Sequence, residues 1–277
     1  MTGAQTDDLD ARIDAVRIRL AAAERIVVLT GAGMSAESGV PTFRDALTGL
    51  WARFDPAQLA TPEAFRANPA LVWRWYAERR EAVQRARPNA GHVALAQAVA
   101  RWPQLRVVTQ NVDGLHARAG SHGVIELHGN ILRSRCFDRC EHAETYDDPA
   151  ELPPGEPPSC PACHGRLRPD VVWFGEPLDH RVLTAAERAM DTAEVVLVVG
   201  TSGMVYPAAA LPGRARRRGA LVVVINPNDS DLDDQADLCL SATAAVALPR
   251  LFDLQPDSRR ACGAFDDAVA ARGSEPR

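Results

Sequence analysis

Four stretches of this chain hold β-branched and aliphatic residues in unbroken succession: RIVVLT (25–30), LRVVTQ (105–110), AEVVLVVG (193–200) and ALVVVINP (220–227). A strand with one wet face alternates apolar and polar residues, so runs without alternation predict strands covered on both faces. A fifth, weaker run is GVIELHG (123–129). Helical patterns separate most of them. Residues 8–23 place Leu9, Ile13, Val16 and Leu20 on one stripe, and NAGHVALAQAVARW (89–102) offers Asn89 as an N-cap with Val93, Ala96 and Val99 as an apolar face. Continuous strands alternating with helices predict an α/β fold, a parallel sheet doubly wound with helices on both faces.

Two stretches interrupt that rhythm. Residues 46–88 are rich in Trp and Arg and read as helical, while residues 131–169 are rich in Cys and Pro and carry no long periodic segment. Both are expected to be insertions that form a smaller module beside the sheet. The sheet domain is then expected over 8–45, 89–130 and 170–252, with 253–277 as a flexible polar tail. A length of 277 residues accommodates such an arrangement. No run approaches ~18 apolar residues and the acidic N-terminus has no leader-like core, which predicts a cytoplasmic protein without a membrane partner. A net charge of −5 argues against a dedicated nucleic-acid partner, and the cluster Arg214, Arg216, Arg217 and Arg218 reads as a solvated helix end. Oligomeric state leaves no mark in the sequence.

Cys136, Cys140, Cys160 and Cys163 form C-x3-C, a 19-residue gap, then C-x2-C. Two close thiolate pairs on separate turns suit tetrahedral Zn²⁺, and a segment this poor in apolar residues needs the ion to fold. Four sulfur ligands leave no open position, so the expected role is structural. His142 and His164 lie close enough to replace a cysteine, and Cys239 and Cys262 read as packing residues.

The first strand runs into Gly31-Ala32-Gly33 and a further small-residue cluster, Ser35 to Gly39. A backbone this bare after a buried strand predicts close approach by a ligand, with N–H groups free to hold phosphate. No G-x-G-x-x-G is completed, because the third glycine falls at Gly39. Two other strand ends, GTS (200–202) and INPND (225–229), bring small and hydrogen-bonding groups to the same carboxyl edge, where open α/β sheets bind ligands. Three such ends suit an adenine dinucleotide. TQNVDGLHARAG (109–120) adds Gln110, Asn111, Asp113 and His116, and ELHGN (126–130) adds His128. His92 and His116 read as helix-anchoring residues.

Taken in order, GAG-x-S-x-x-SG-x-P-x-FR (31–44), TQN-x-D-x-LH (109–116), HG (128–129), the paired cysteines, FGE (174–176), GTS and INP resemble the sirtuins, NAD-dependent protein lysine deacylases. The resemblance runs from about residue 20 to 250. It implies a Rossmann-like large domain, a small domain of zinc ribbon plus helical insertion, NAD in the crevice between them, and acyl-lysine entering from the opposite side. It implies further that the acyl oxygen attacks the nicotinamide ribose as nicotinamide leaves, with His128 as general base through the ribose hydroxyls. Gln110 would hold that ribose, and Asn111 and Asp113 the ribose and carboxamide. Phe43 would cover the reactive sugar face and Arg44 steady the loop and phosphates. Gly31, Ala32, Gly33, Gly200, Thr201, Ser202 and Asn226 would line the rest of the cofactor, with Ser241 and Ala242 at its adenine end. Val172, Phe174, Gly175 and Val205 would hold the substrate protein by backbone pairing, which tolerates many sequences.

In LVWRWYAERRE (71–81), Tyr76 and Arg79 stand three apart on one helical face. This pair resembles the sirtuin branch that removes succinyl, malonyl and glutaryl groups: a guanidinium can pair with a distal carboxylate while a phenol donates to it. Ala60 would widen the pocket. The expectation is a desuccinylase and demalonylase that also deacetylates. A mainly deacetylating enzyme, a mono-ADP-ribosyltransferase using the same nicotinamide cleavage, and a non-enzymatic zinc-ribbon sensor are the alternatives.

Overall fold

A computed structural model describes the backbone of residues 3–40, 59–140, 145–147 and 155–253, with side chains from residue 8. The chain opens with α1 (Gly3–Ala22) and β1 (Ile26–Thr30). Then come α2 (Pro62–Ala67), α3 (Pro69–Arg85), α4 (Ala90–Ala98), β2 (Arg106–Thr109), α5 (Leu115–Arg118) and β3 (Ile125–Glu126). The middle holds β4 (Gly129–Cys136), β5 (Tyr146–Asp147) and β6 (Leu167–Val171). The last part runs α6 (His180–Thr192), β7 (Val195–Val199), α7 (Leu211–Arg217), β8 (Leu221–Ile225), β9 (Leu238–Leu240) and α8 (Ala244–Leu251).

Six strands form one sheet in the order β3-β2-β1-β7-β8-β9, every pair parallel. All five residues of β1 and of β7 are buried, as their unbroken apolar runs require. Side chains alternate between two cores. Ile26 and Val28 pack with Leu20 of α1, Leu95 of α4 and Leu248 of α8, whereas Val27 and Leu29 pack with Met190 of α6 and Leu211 of α7. The expected α/β, doubly wound class is therefore the one observed, and the stripe Leu9, Ile13, Val16 and Leu20 is buried as read.

Particular elements differ from expectation. Asn89 caps α4, but Val93 and Val99 point outward at 39% and 36% exposure. The buried stripe is Gly91, Ala94, Leu95 and Ala98, with Trp102 just past the helix end, because Leu95 and Trp102 carry more apolar surface than Val93 and Val99 and set the helix rotation. The edge strand Leu238–Leu240 was too short to register as a run. The Cys- and Pro-rich segment carries strands after all: β4 pairs antiparallel with β5 and β6 in a separate three-stranded sheet.

That second sheet explains why β3 has only two residues. Leu127 still donates its N–H to Thr109 O at 2.8 Å, but at His128 the chain leaves the parallel sheet, and the His128 carbonyl accepts from Val172 N at 2.9 Å. Gly129, with φ at +80°, makes the turn into β4. His128 thus sits at the junction of the two sheets. The helical segment is tied to them by buried charge. Arg80 of α3 donates to Ile131 O at 2.7 Å and to Ser134 Oγ at 3.2 Å, and Arg118 of α5 donates to the terminal α3 carbonyls Val83 and Ala86 at 2.8 and 2.7 Å. Residues 41–58, most of the interval on which the helical expectation began, lie outside the described residues, as does the tail from residue 254.

Candidate functional site

The strand order reverses between β1 and β7, and the carboxyl ends on either side of such a point open a crevice. Three turns border it. After β1, Gly31 N donates to Val199 O at 2.9 Å and Gly33 N to Gly200 O at 2.8 Å. A Cβ on Gly31 would stand 2.6 Å from Thr201 Cβ, and one on Gly33 would stand 2.8 Å from Gly200 Cα. The glycines at 31 and 33 are thus required by the backbone of the neighbouring turn, whatever else lies against them. Ala32 is exposed, and residues 32–38 wind into a 3-10 helix that ends at Gly39.

Beneath this turn lies a buried polar cluster. Ser35 Oγ donates to Asp113 Oδ2 at 2.7 Å and accepts from Asn111 Nδ2 at 3.1 Å, while Asp113 Oδ1 accepts Leu115 N–H at 2.9 Å. Burial raises the Asp113 carboxyl above its usual range, against the lowering effect of the Ser35 and Leu115 bonds. Ser35 carries no assigned role in the sequence reading; its signals there are the small-residue cluster and the serine of GAG-x-S. Across the crevice, Gln110 Nε2 donates to Thr201 Oγ1 at 3.0 Å and Asn226 Nδ2 donates to Thr201 O at 3.2 Å. Ser202 borders the same turn and its carbonyl accepts Asp231 N–H. Ser241 and Ala242 follow β9, one strand further out. Phe43 and Arg44 lie outside the described residues.

His128 Nδ1 stands 3.0 Å from the Gln110 carbonyl. A carbonyl can only accept, so Nδ1 carries the proton and Nε2 is the basic nitrogen. Burial holds the imidazole below its ordinary value of 6.5, partly offset by the Gln110 bond, so the ring is neutral and able to take a proton at physiological pH. His116 and His92 lie deeper, behind the strand ends, with His92 completing the cap of α4.

The residues assigned to the acyl group gather in an aromatic cluster. Tyr76 and Ala60 are buried with Phe65, Trp75 and Trp173. Trp173 Nε1–H donates to the Tyr76 oxygen at 2.9 Å, which leaves the phenol O–H as a donor. Burial pushes the Tyr76 phenol up to about 12, with Arg79 the first of the opposing influences, so it stays protonated. Arg79 lies over the Trp75 ring, 4.9 Å from its centroid. In the expected peptide-holding segment, Val172 N–H is spent on His128 O and Phe174 N–H on Ala60 O. Phe174 and Val205 are exposed at 46% and 43%, and Gly175 is exposed as well. Glu176 anchors this segment, accepting from Arg168 Nη1 at 2.6 Å and from Trp173 N at 2.9 Å.

Sγ atoms of Cys136, Cys140, Cys160 and Cys163 all lie within 4.8 Å of one another. Cys136–Cys163 and Cys140–Cys160 are 3.6 and 3.8 Å apart, matching the edge of about 3.8 Å that a tetrahedron with ~2.3 Å Zn–S bonds requires. The donor set fits zinc and closes it off from chemistry. Removing zinc with a strong chelator is expected to open 129–171 to limited proteolysis while the parallel sheet resists, since structural zinc supplies folding energy of about 10–16 kcal/mol in small modules. Proteolytic mapping beside zinc quantitation checks it. His164 is not needed as a ligand, Cys239 lies half-buried in β9, and His142 and Cys262 fall outside the described residues.

Comparison with known proteins adds the following. A sequence model of the Sir2 family matches residues 31–207. An NAD-dependent protein deacylase of Ralstonia nicotianae is 57% identical over 236 residues, 85% of this chain and 94% of its own length. NAD-dependent protein deacylase 2 of Pyrobaculum aerophilum is 52% identical over 234 residues, 84% and 92% of the two lengths. Among solved structures, a Sir2 homologue–NAD complex has a TM-score of 0.79 at 43% identity, covering 87% of this chain and 92% of that one. A Sir2 protein with a deacetylated peptide and 3′-O-acetyl ADP ribose has a TM-score of 0.76 at 33% identity, covering 87% and 98%.

Proposed function

The chain belongs to the Sir2 family, and on that premise we propose its reaction: it is an NAD-dependent protein lysine deacylase that moves the acyl group of a modified lysine to ADP-ribose with release of nicotinamide. NAD, when bound, supplies the electrophilic sugar carbon and a nicotinamide leaving group. The observation that carries the reading is His128: a neutral imidazole at the junction of the two sheets, its Nδ1 proton spent on Gln110 and its Nε2 left basic. That nitrogen accepts the proton released from a ribose hydroxyl during acyl transfer. Asn111 and Asp113, fixed through Ser35, orient the nicotinamide end, and the turns at Gly31–Gly33, Gly200–Ser202 and Asn226 border the rest of the dinucleotide. The protein substrate lies along Val172–Gly175 and Val205, pairing through backbone groups other than the Val172, Trp173 and Phe174 N–H, which are spent within the protein. The polypeptide divides into the sheet domain and a small domain made of the helical segment and the zinc-binding sheet, as its sequence implies.

The acyl groups favoured are succinyl and malonyl, with acetyl accepted as well. Arg79 and the Tyr76 O–H, three residues apart on α3, provide a cation and a protonated donor for a distal carboxylate, and Ala60 leaves room beside them. Turnover of succinyl-, malonyl- and acetyl-lysine peptides with labelled NAD tests the reading. One nicotinamide and one O-acyl-ADP-ribose per lysine freed are expected. Label transferred to protein would make it an ADP-ribosyltransferase instead, and binding of NAD without turnover a sensor.

A further inference from the structure

Behind the strand ends a pair of histidines is buried. His116 and His92 are 2% and 0% exposed, their ring centroids 4.8 Å apart and their planes inclined at 56°. Both are held neutral by burial, at about 4 and about 3. His92 has a structural task, since its Nδ1 accepts the Asn89 N–H in the cap of α4. His116 has none of that kind. Its Nε2 stands 3.0 Å from Thr30 Oγ1, and its Nδ1 has no hydrogen-bond partner among the described residues. A leucine would fill the space without a desolvated nitrogen, so packing alone does not account for an imidazole here.

What the imidazole touches does account for it. Thr30 and Thr109 are the last residues of β1 and β2 and lie in register. Thr30 Oγ1 donates to Thr109 Oγ1 at 2.8 Å, and Thr109 Oγ1 also accepts Asn111 N–H at 3.0 Å. With the Thr30 proton committed to Thr109, His116 Nε2–H is the donor to Thr30 Oγ1. Gln110, between these anchors, gives its N–H to Thr30 O at 2.9 Å and presents its carbonyl to His128. We propose that His116 is a positioning residue for deacylation: by donating to Thr30 it fixes the Thr30–Thr109 hydroxyl pair, and with it the 109–111 turn that orients His128 and Asn111. This role rests on the deacylase reading above.

The test compares wild type with His116→Leu, His116→Gln and Thr30→Val, each checked for native melting and zinc content. His116→Leu is expected to lower kcat by about tenfold or more, with KM for the acyl peptide within about twofold, because small displacements of a reacting group are costly in rate. His116→Gln, whose amide can still donate to Thr30, should recover most of the loss. Combining His116→Leu with Thr30→Val should be no worse than the poorer single variant. Should His116→Leu unfold, Thr30→Val, nearly isosteric, carries the same expectation. A folded His116→Leu with wild-type kcat, or a His116→Gln as impaired as the leucine variant, overturns the proposal. The His128 ring-nitrogen shifts, read by NMR without substrate, should move in Thr30→Val; unchanged shifts also overturn it. Absence of turnover in wild type would instead strike the deacylase reading, and the shift measurement would still decide the positioning role.

Discussion

Replacing His128 by asparagine is expected to lower kcat by roughly 10²–10⁴-fold, the usual range for loss of a general base, while NAD still binds. Asparagine is the informative choice because its Nδ2 can take the place of the imidazole Nδ1 and donate to Gln110 O, so the anchoring bond at 3.0 Å is kept and only the Nε2 base is removed. A drop of less than about tenfold would show that some other group takes the proton. The pH profile gives a second check on the same residue. Burial lowers its pKa from 6.5, and the form that acts is the unprotonated one. Activity is therefore retained as pH falls through 6.5 and is lost only through the lower, folded-state value. The acid limb of kcat/KM should lie below 6.5, and one lying above it would place the essential base elsewhere.

Residues that made the core legible in sequence were those whose signal is local. β1, β2, β7 and β8 were written as unbroken apolar runs because a parallel strand is covered on both faces. The cysteine spacing announced a thiolate cluster because ligand pairs must bite from tight turns. What stayed hidden depends on distant partners. Ser35 bridges to Asp113 across 78 residues, and Tyr76 receives the Trp173 indole across 97; no periodicity encodes either bond. The small residues after β1 suggest space for a ligand, yet the Cβ positions of Gly31 and Gly33 run into the turn at Gly200 and Thr201. That demand comes from a strand some 170 residues later. In α4 the exposed Val93 and Val99 outweigh the smaller buried Ala94 and Ala98 in hydrophobicity, so the sequence by itself points to the exposed face.

Arg79→Met should separate the acyl groups. Desuccinylation is expected to fall by roughly 10²–10⁴ in kcat/KM, since removing one partner of a desolvated, hydrogen-bonded charge pair costs about 3–5 kcal/mol and each 1.36 kcal/mol is about tenfold. Deacetylation, which presents no distal carboxylate, should change by less than about threefold. Methionine keeps an unbranched apolar stem against Trp75, so the packing that Arg79 makes over that ring, 4.9 Å from its centroid, is largely preserved and the charge is what is lost. Burial pulls the guanidinium pKa down, with Tyr76 opposing, but an arginine stays charged at neutral pH. The surroundings that desolvate it also strengthen its attraction for an anion. Tyr76→Phe is a poorer probe, because it strands the buried Trp173 N–H that now donates to the phenol at 2.9 Å and so mixes a folding penalty of about 1–3 kcal/mol into the kinetics. Equal losses on succinyl and acetyl peptides in Arg79→Met would mean that the guanidinium supports the aromatic cluster and does not read the acyl group. A selective loss would mean that α3, far in sequence from His128, decides which modified lysines this enzyme clears.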